Sequence, residues 1–355
     1  MTRLELGMSL AHREVLSRLH EAAGALGVLL EIHAQPSRTG IRRPVRGAAP
    51  PKRRPPAIRR ARAPAPWWPP VDPMWCCNSA PQGAATLLRG GSIQGHAPRM
   101  TALIHVSALY RYPVKGLSPE PIGRAELETS GFFPGDRLYA IENGPSGFNA
   151  VAPRHQPKTK YLMLMRDEAL ARLRTRYDDA TATLTVEGYG EPQAFRLDTE
   201  AGREGLAELM RRFVPESLRG EPKVLAAPPQ YRFTDSPTGY VSLINRASVA
   251  AVEDYLGAPV DPLRFRGNLL VDGLEPFAEL EMVGQVIEAP SGLRLKIIKR
   301  TVRCAATNVD PVSGVRDCDI PWTLDARLGH RDLGVYAEVI AGGALAKGDA
   351  LRVVG

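Results

Sequence analysis

The stretch EMVGQVIEAPSGLRLKIIKRTVRC, residues 281–304, holds two aliphatic and β-branched runs, EMVGQVIEA and LRLKIIKR, separated by Pro, Ser and Gly. Runs of this kind bounded by turn formers read as strands. A basic cluster of Lys296, Lys299, Arg300 and Arg303 then leads directly into Cys304. The surroundings continue the pattern, with NLLVDG before it and GVYAEVIAGG and DALRVVG after it. Further upstream, LIHVSALYRYPV and RAELE alternate like strands, LYAIE and YLMLM are short apolar runs, and KVLAA is another strand. ATATLTVEGYGEPQAFRL reads as a hairpin with Gly in its turn. From Met100 onward, helical spacing is confined to three segments: RDEALARLRTRY; TEAGREGLAELMRRFV, with Thr199 as N-cap and Arg211 and Arg212 in the last turn; and NRASVAAVEDYLG, with Gly257 at its stop. Many short strands with few helices predict a mainly β, α+β fold, a β-barrel or sandwich with helical insertions.

The charge is unevenly placed. Residues 1–99 hold 15 of the 46 basic residues and 5 of the 38 acidic ones, a net of +10, and residues 100–355 have a net of −2. The basic balance therefore gives no reason to expect nucleic-acid binding by the folded part. Residues 4–34 have the spacing of a short amphipathic helix, and RRPVRGAAPPKRRPPAIRRARAPAPWWPPVDP follows. That composition buries too little apolar surface to offset chain entropy, so 1–99 are expected to form a disordered Pro/Arg-rich extension. MTALIHVSALYRYPVKG reads as a natural beginning, which would make the extension an over-long start assignment. No apolar run approaches the roughly 18–20 residues of a membrane span. The four cysteines, Cys76, Cys77, Cys304 and Cys318, are too few for a disulfide framework, and a reducing, cytoplasmic setting is the default.

The common catalytic signatures are missing: there is no Walker A loop, GxGxxG after a strand, HExxH or GxSxG. His155 and His330 are isolated, without paired ligand spacing. Attention returns to Cys304. Successive strand residues face opposite sides, so Arg303 supports a Cys304 thiolate only if the strand ends there. The following Thr307–Pro311 stretch, turning at Asp310–Pro311, suggests that it does. A soft sulfur at a strand end suits a soft metal centre. Residue type alone leaves a ligand, a nucleophile and a buried structural thiol all open.

The ordered set of motifs says more. DPLRFRGNLLVDG at 261–273, RCAATNVDPVSG at 303–314 and the terminal GVYAEVIAGGALAKGDALRVV resemble the MOSC domain. LYRYPVKGLSPEPIGRAELETSGFFPGDRLYAI at 109–141 resembles the N-terminal β-barrel domain that accompanies MOSC in the branch of the amidoxime-reducing components and their bacterial relatives. The resemblance covers nearly all of 103–354 and implies an N-terminal β-barrel-like domain over 103–230 and a MOSC domain over 231–355. It implies the molybdenum cofactor, a pterin dithiolene with a phosphate-bearing tail, with Cys304 as metal ligand and catalytic residue. Lys115 falls where the family meets the phosphate; a Ser of better-known members is Gly116 here, which offers its backbone N–H instead. Arg137, Arg266, Asn268, Arg303 and Tyr336 match further cofactor contacts, and Asp235 and Ser236 lie in a segment that touches the cofactor in relatives. Taken singly, Lys115, Arg137 and Arg264 are ordinary surface charges, and Arg266 would be a structural ion pair with Asp261 or Asp272.

The implied activity is two-electron oxygen removal from an N-oxygenated small molecule, such as an N-hydroxylated amidine or base analogue. No flavin, haem or nicotinamide motif appears, so the electrons are expected from a partner protein carrying flavin, an iron–sulfur centre or haem. Two rival readings stand beside it. In one, Cys304 carries a persulfide for sulfur transfer; in the other, the chain binds the cofactor without turnover. Pyridoxal phosphate belongs to the sulfurases of the family through a separate domain, and no lysine site for it is visible here.

Overall fold

The computed structural model describes residues 103–237 and 241–354. The expected disordered extension, 1–99, lies outside the described residues. The strands are β1 (Ile104–Arg111), β2 (Glu120–Ile122), β3 (Arg124–Leu127), β4 (Tyr139–Asn143), β5 (Arg174–Asp178), β6 (Thr183–Glu187) and β7 (Gln193–Arg196). After α1 (Glu200–Phe213) and β8 (Pro222–Ala226) come β9 (Val241–Asn245), α2 (Arg246–Leu256), β10 (Leu269–Asp272), β11 (Val286–Glu288) and β12 (Arg294–Val302). The chain ends with α3 (Ile320–Leu328), β13 (Asp332–Ala341), β14 (Gly343–Ala346) and β15 (Ala350–Val353).

Seven strands close on themselves in the order β10-β9-β13-β12-β11-β15-β1, with β1 pairing back onto β10 and β2 attached outside β1. Closure removes the unpaired edges that a flat sheet would expose. Alternation along β12 shows how the sequence builds it: Leu295 and Ile297 face the barrel core while Arg294 and Lys296 are exposed. The core joins Ile104, Val106 and Leu109 of β1 to Leu243, Leu269, Ile287, Val335 and Leu351. Each such fully buried aliphatic side chain contributes about 1.5–3 kcal/mol. The one parallel pair described, β9 with β10, is joined through α2, and both strands are almost wholly buried. Beside the barrel lies a second core, where α1 packs with the β4–β8 and β5–β6–β7 sheets around Val114, Leu117, Ile141, Leu170 and Leu206. No helix among the described residues is long and apolar enough to cross a membrane.

Local signals at two helices behave as expected. Thr199 accepts from the Gly202 N–H at 3.1 Å at the start of α1, with Arg211 and Arg212 in its last turn. Gly257 caps α2 in the left-handed region. Elsewhere tertiary structure overrides local spacing. RDEALARLRTRY is not a helix: Glu168–Arg172 makes a short 3-10 turn and the rest is β5, whose Thr175 and Tyr177 are buried in alternation against β6. YLMLM contributes only a bridge at Tyr161, and EMVGQVIEA is a strand only over Val286–Glu288. By contrast, β12 stops at Val302, two residues before Cys304, so the strand ends by the cysteine as expected. Asp310 organises the expected turn, its carboxylate accepting from the N–H groups of Val312 and Ser313.

Candidate functional site

The last third of β12 departs from a regular ladder. Its pairing with β13 shifts between Ile297 and Lys299 and again between Arg300 and Val302. Bulges of this kind re-aim side chains. Here residues 299–304 all line one cavity of about 410 Å3. Cys304 follows as the residue before a 3-10 turn, Ala305–Asn308, and its carbonyl accepts from the N–H and hydroxyl of Thr307. Its thiol is free and half-buried.

All ten residues singled out in the sequence, from Lys115 to Tyr336, line this cavity, brought there by both cores. They do different work. Lys115 follows β1 through a bridge between Val114 and Tyr139 and is buried; its ammonium donates to the Phe233 carbonyl at 2.9 Å and pairs with Asp235. The Asp235 side chain keeps half its surface open, and enclosure alone would raise its pKa. The charges of Lys115, Lys158 and Arg137 outweigh this and hold the carboxyl well below the usual carboxylate range. Gly116 sits at φ +87°, where a Cβ would come 2.9 Å from the Leu162 carbonyl oxygen. The backbone thus demands glycine where the family often has Ser.

Arg137 and Arg266 both hold left-handed backbone conformations, φ +49° and +53°, unusual for a non-glycine residue. Such strain concentrates at functional sites. Their guanidinium carbons lie 4.4 Å and 4.3 Å from the ring centre of the fully buried Tyr112. Arg137 pairs with Asp136, and Arg266 donates to the Leu117 carbonyl at 2.9 Å. The expected structural alternative for Arg266, a pair with Asp261 or Asp272, does not form; Asp272 is 3.3 Å from Arg246 instead. Burial pushes the Arg266 pKa down to about 10.

Two predicted cofactor contacts are occupied by the fold. Arg303 is buried and donates to the carbonyls of Leu333 and Phe265, the latter at 2.9 Å; burial pushes its pKa down to about 10. Asn268 accepts from the Ser242 N–H at 3.1 Å and donates to the Tyr110 carbonyl at 3.2 Å, stapling β9 to β1. Ser236 is buried with Lys299 Nζ 3.4 Å from its hydroxyl, and that ammonium also lies 5.3 Å from the ring centre of Tyr336. Arg264, read as surface charge, is buried against Asp310 and Asp317 at 3.3 Å and 2.8 Å.

In sequence, the loop ENGPSGFNAVAPRHQPKTK is placed at the pocket, but its Lys158 is not singled out. Its ammonium donates to Cys304 Sγ at 3.5 Å and lies 3.7 Å from Asp235. Burial lowers its pKa, but Asp235 and Cys304 outweigh that and raise it. It comes from a short 3-10 turn in a loop, Lys158–Lys160, with no periodicity to mark it. Eight of the lining side chains are Lys or Arg and two are Asp. Among the described residues no group of three or more His, Cys, Asp or Glu could hold a metal. A metal at Cys304 would therefore take its remaining ligands from a bound group.

Two known domain families match the sequence that builds this barrel and cavity. Residues 230–352 match the MOSC domain and residues 103–209 the MOSC N-terminal beta barrel domain. The chain belongs to the MOSC-domain proteins. More particularly, it is one whose MOSC domain follows a MOSC N-terminal beta barrel domain. It is 24% identical over 234 residues to mitochondrial amidoxime-reducing component 1 of Homo sapiens, covering 59% of this chain and 67% of that protein. It is 36% identical over 77 residues to molybdenum cofactor sulfurase of Caenorhabditis elegans, covering 21% of this chain and 10% of that protein. Among solved structures, the YuaD protein of Bacillus subtilis is similar at 14% identity and a TM-score of 0.34, over 72% of this chain and 96% of that one.

Proposed function

We propose that this cavity holds a molybdenum–pterin cofactor with Cys304 as the protein's metal ligand, and that the protein reduces N-oxygenated small molecules. The observation that carries the reading is the position of Cys304: a half-buried, free thiol that opens on a cavity lined by eight cationic side chains. The donor set fits an anionic, phosphate-bearing group. Arg137 and Arg266 present planar guanidiniums, Lys115 an ammonium and Gly116 a backbone N–H on the same cavity. Thr301 adds a buried hydroxyl with no partner beside the cavity. A soft thiolate suits the metal. When bound, the cofactor supplies the two-electron redox chemistry.

The chain's own part is to bind and orient. Lys115, Arg137 and Arg266 hold the phosphate-bearing tail, and the bulged end of β12 presents Cys304 to the metal. In the overall reaction one N–O bond breaks; two electrons from a partner protein carrying flavin, iron–sulfur or haem, and two protons, convert the N-hydroxy group to N–H and water. The test is to express the full chain in a cofactor-competent host, measure bound molybdenum and pterin, and assay reduction of an N-hydroxylated amidine. The expected result is about one metal per chain with turnover, both lost in Cys304→Ala. Metal-free wild-type protein from that host overturns the reading. A Cys304 persulfide found by mass spectrometry without molybdenum would replace it with sulfur transfer, the reading favoured by the short match to the sulfurase.

A further inference from the structure

The proposed chemistry leaves Lys158 without a role, yet its ammonium lies within hydrogen-bond reach of Cys304 Sγ. Most other cations of the cavity have a nearby partner in the protein. Lys115 is paired with Asp235, Arg137 with Asp136, and Arg264 with Asp310 and Asp317. Arg303 is tied to backbone carbonyls, and Arg300 to Glu281 at 2.6 Å. Lys158 differs. Its ammonium is 3.5 Å from Cys304 Sγ, and the carboxylate within reach, Asp235 at 3.7 Å, is already in closer contact with Lys115. Lys115, Lys158 and Asp235 together therefore leave one net positive charge beside the sulfur. The Lys158 side chain is 32% exposed, so the ammonium on its flexible stem can meet an incoming group.

We propose that Lys158 makes the Cys304 end of the cavity select substrates that carry an anionic group, a carboxylate or a phosphate, over neutral substrates of the same N-oxygenated class. The chemistry of those substrates rests on the reading above; the charge selection does not. An ammonium next to the reacting atoms attracts an approaching anion and leaves a neutral analogue unaffected.

The test uses the full chain prepared metal-free and treated with iodoacetate and iodoacetamide at low salt. The same thiolate attacks the CH2 carbon of both reagents and displaces iodide, so the ratio of their rates cancels the thiolate fraction and reports the local charge. Peptide mass spectrometry reads alkylation at Cys304, with Cys318, 3.5 Å from Arg264, as an internal reference. Lys158→Gln is expected to lower the iodoacetate-to-iodoacetamide ratio at Cys304 about five-fold, the size of a screened ion pair of roughly 1 kcal/mol. The ratio at Cys318 stays unchanged, and Lys158→Arg retains the wild-type ratio. In molybdenum-loaded protein the preference for 4-carboxybenzamidoxime over benzamidoxime should fall in Lys158→Gln, through KM rather than kcat. A Cys304 ratio that does not move in Lys158→Gln overturns the proposal, even if the loaded protein turns over both amidoximes. If the protein binds no molybdenum, the reductase reading falls while the alkylation ratio still decides the charge selection.

Discussion

The floor and the mouth of the cavity hold positive charge in opposite ways. On the floor, Arg137 and Arg266 lie over one buried tyrosine ring, both with left-handed backbones, and Arg303 is locked onto two carbonyls. At the Cys304 end, Lys158 reaches in from a loop and its side chain stays partly exposed. A planar guanidinium fixed by packing suits a partner of constant geometry, and an ammonium on a flexible stem suits partners that change. Floor cations are held as part of the fold, whereas Lys158 is held only by its loop.

The largest difference is expected when one cation is removed from each region. Arg303→Met strands the Leu333 and Phe265 carbonyls in a buried setting. Each lost partner costs about 1–3 kcal/mol, so a loss of roughly 3 kcal/mol is expected in urea unfolding of the full chain. Lys158→Met should change the same midpoint by less than about 0.5 kcal/mol. Equal losses would erase the distinction. Tyr112→Leu comes next: it removes the ring under both guanidiniums and the hydroxyl that donates to the Gly267 carbonyl at 3.3 Å. About 2 kcal/mol is expected, read as a lowered unfolding midpoint.

A smaller effect is expected at Gly116→Ser, which restores the residue of better-known relatives. At φ +87° an L side chain costs about 1–2 kcal/mol, and its Cβ would press on the Leu162 carbonyl at 2.9 Å. The substitution should lower the unfolding midpoint of the full chain, and a gain in stability would show that the backbone here can relax.

The same contrast explains what could be read in advance. The barrel was legible because β12 and its neighbours alternate inward and outward residues, and the motif order along the chain carried Cys304, Lys115, Arg137 and Arg266 to one cavity. Four things were not legible. The strand character of Arg174–Asp178 was hidden by helix-forming residues that only pairing with β6 overrides. α3 was missed although Asp319 caps it, Pro321 opens it and Gly329 closes it, because its apolar spacing is short. Lys158 lies in a loop, where no periodic pattern ties a residue to its partner, and only the closed fold brings it to the sulfur 146 positions away. The roles of Arg303 and Asn268 could not be told from cofactor contacts by residue type, since a buried arginine tied to carbonyls and a phosphate-binding arginine look alike in sequence.

The smallest effect expected concerns acid. Enclosure alone would raise the Asp235 pKa, but Lys115 first and then Lys158 and Arg137 hold it below the unfolded carboxylate value of about 3.9. A carboxyl depressed on folding contributes stability that is present above its unfolded pKa and is lost as pH falls toward the folded one. Its contribution therefore begins to fall near about pH 4 and is lost progressively below it. The side chain is half-exposed, so solvent and salt screen the pair and the effect is modest. Lys115→Met removes the nearest cation while Lys158 stays 3.7 Å away. The acid limb of thermal stability, measured from pH 5 downward at low salt, should become shallower without vanishing. Charge would then be shown to be shared between a buried lysine of the floor and an exposed lysine of the mouth. An unchanged limb would mean that Lys158 alone holds the carboxylate, and a limb abolished outright would mean that the floor does.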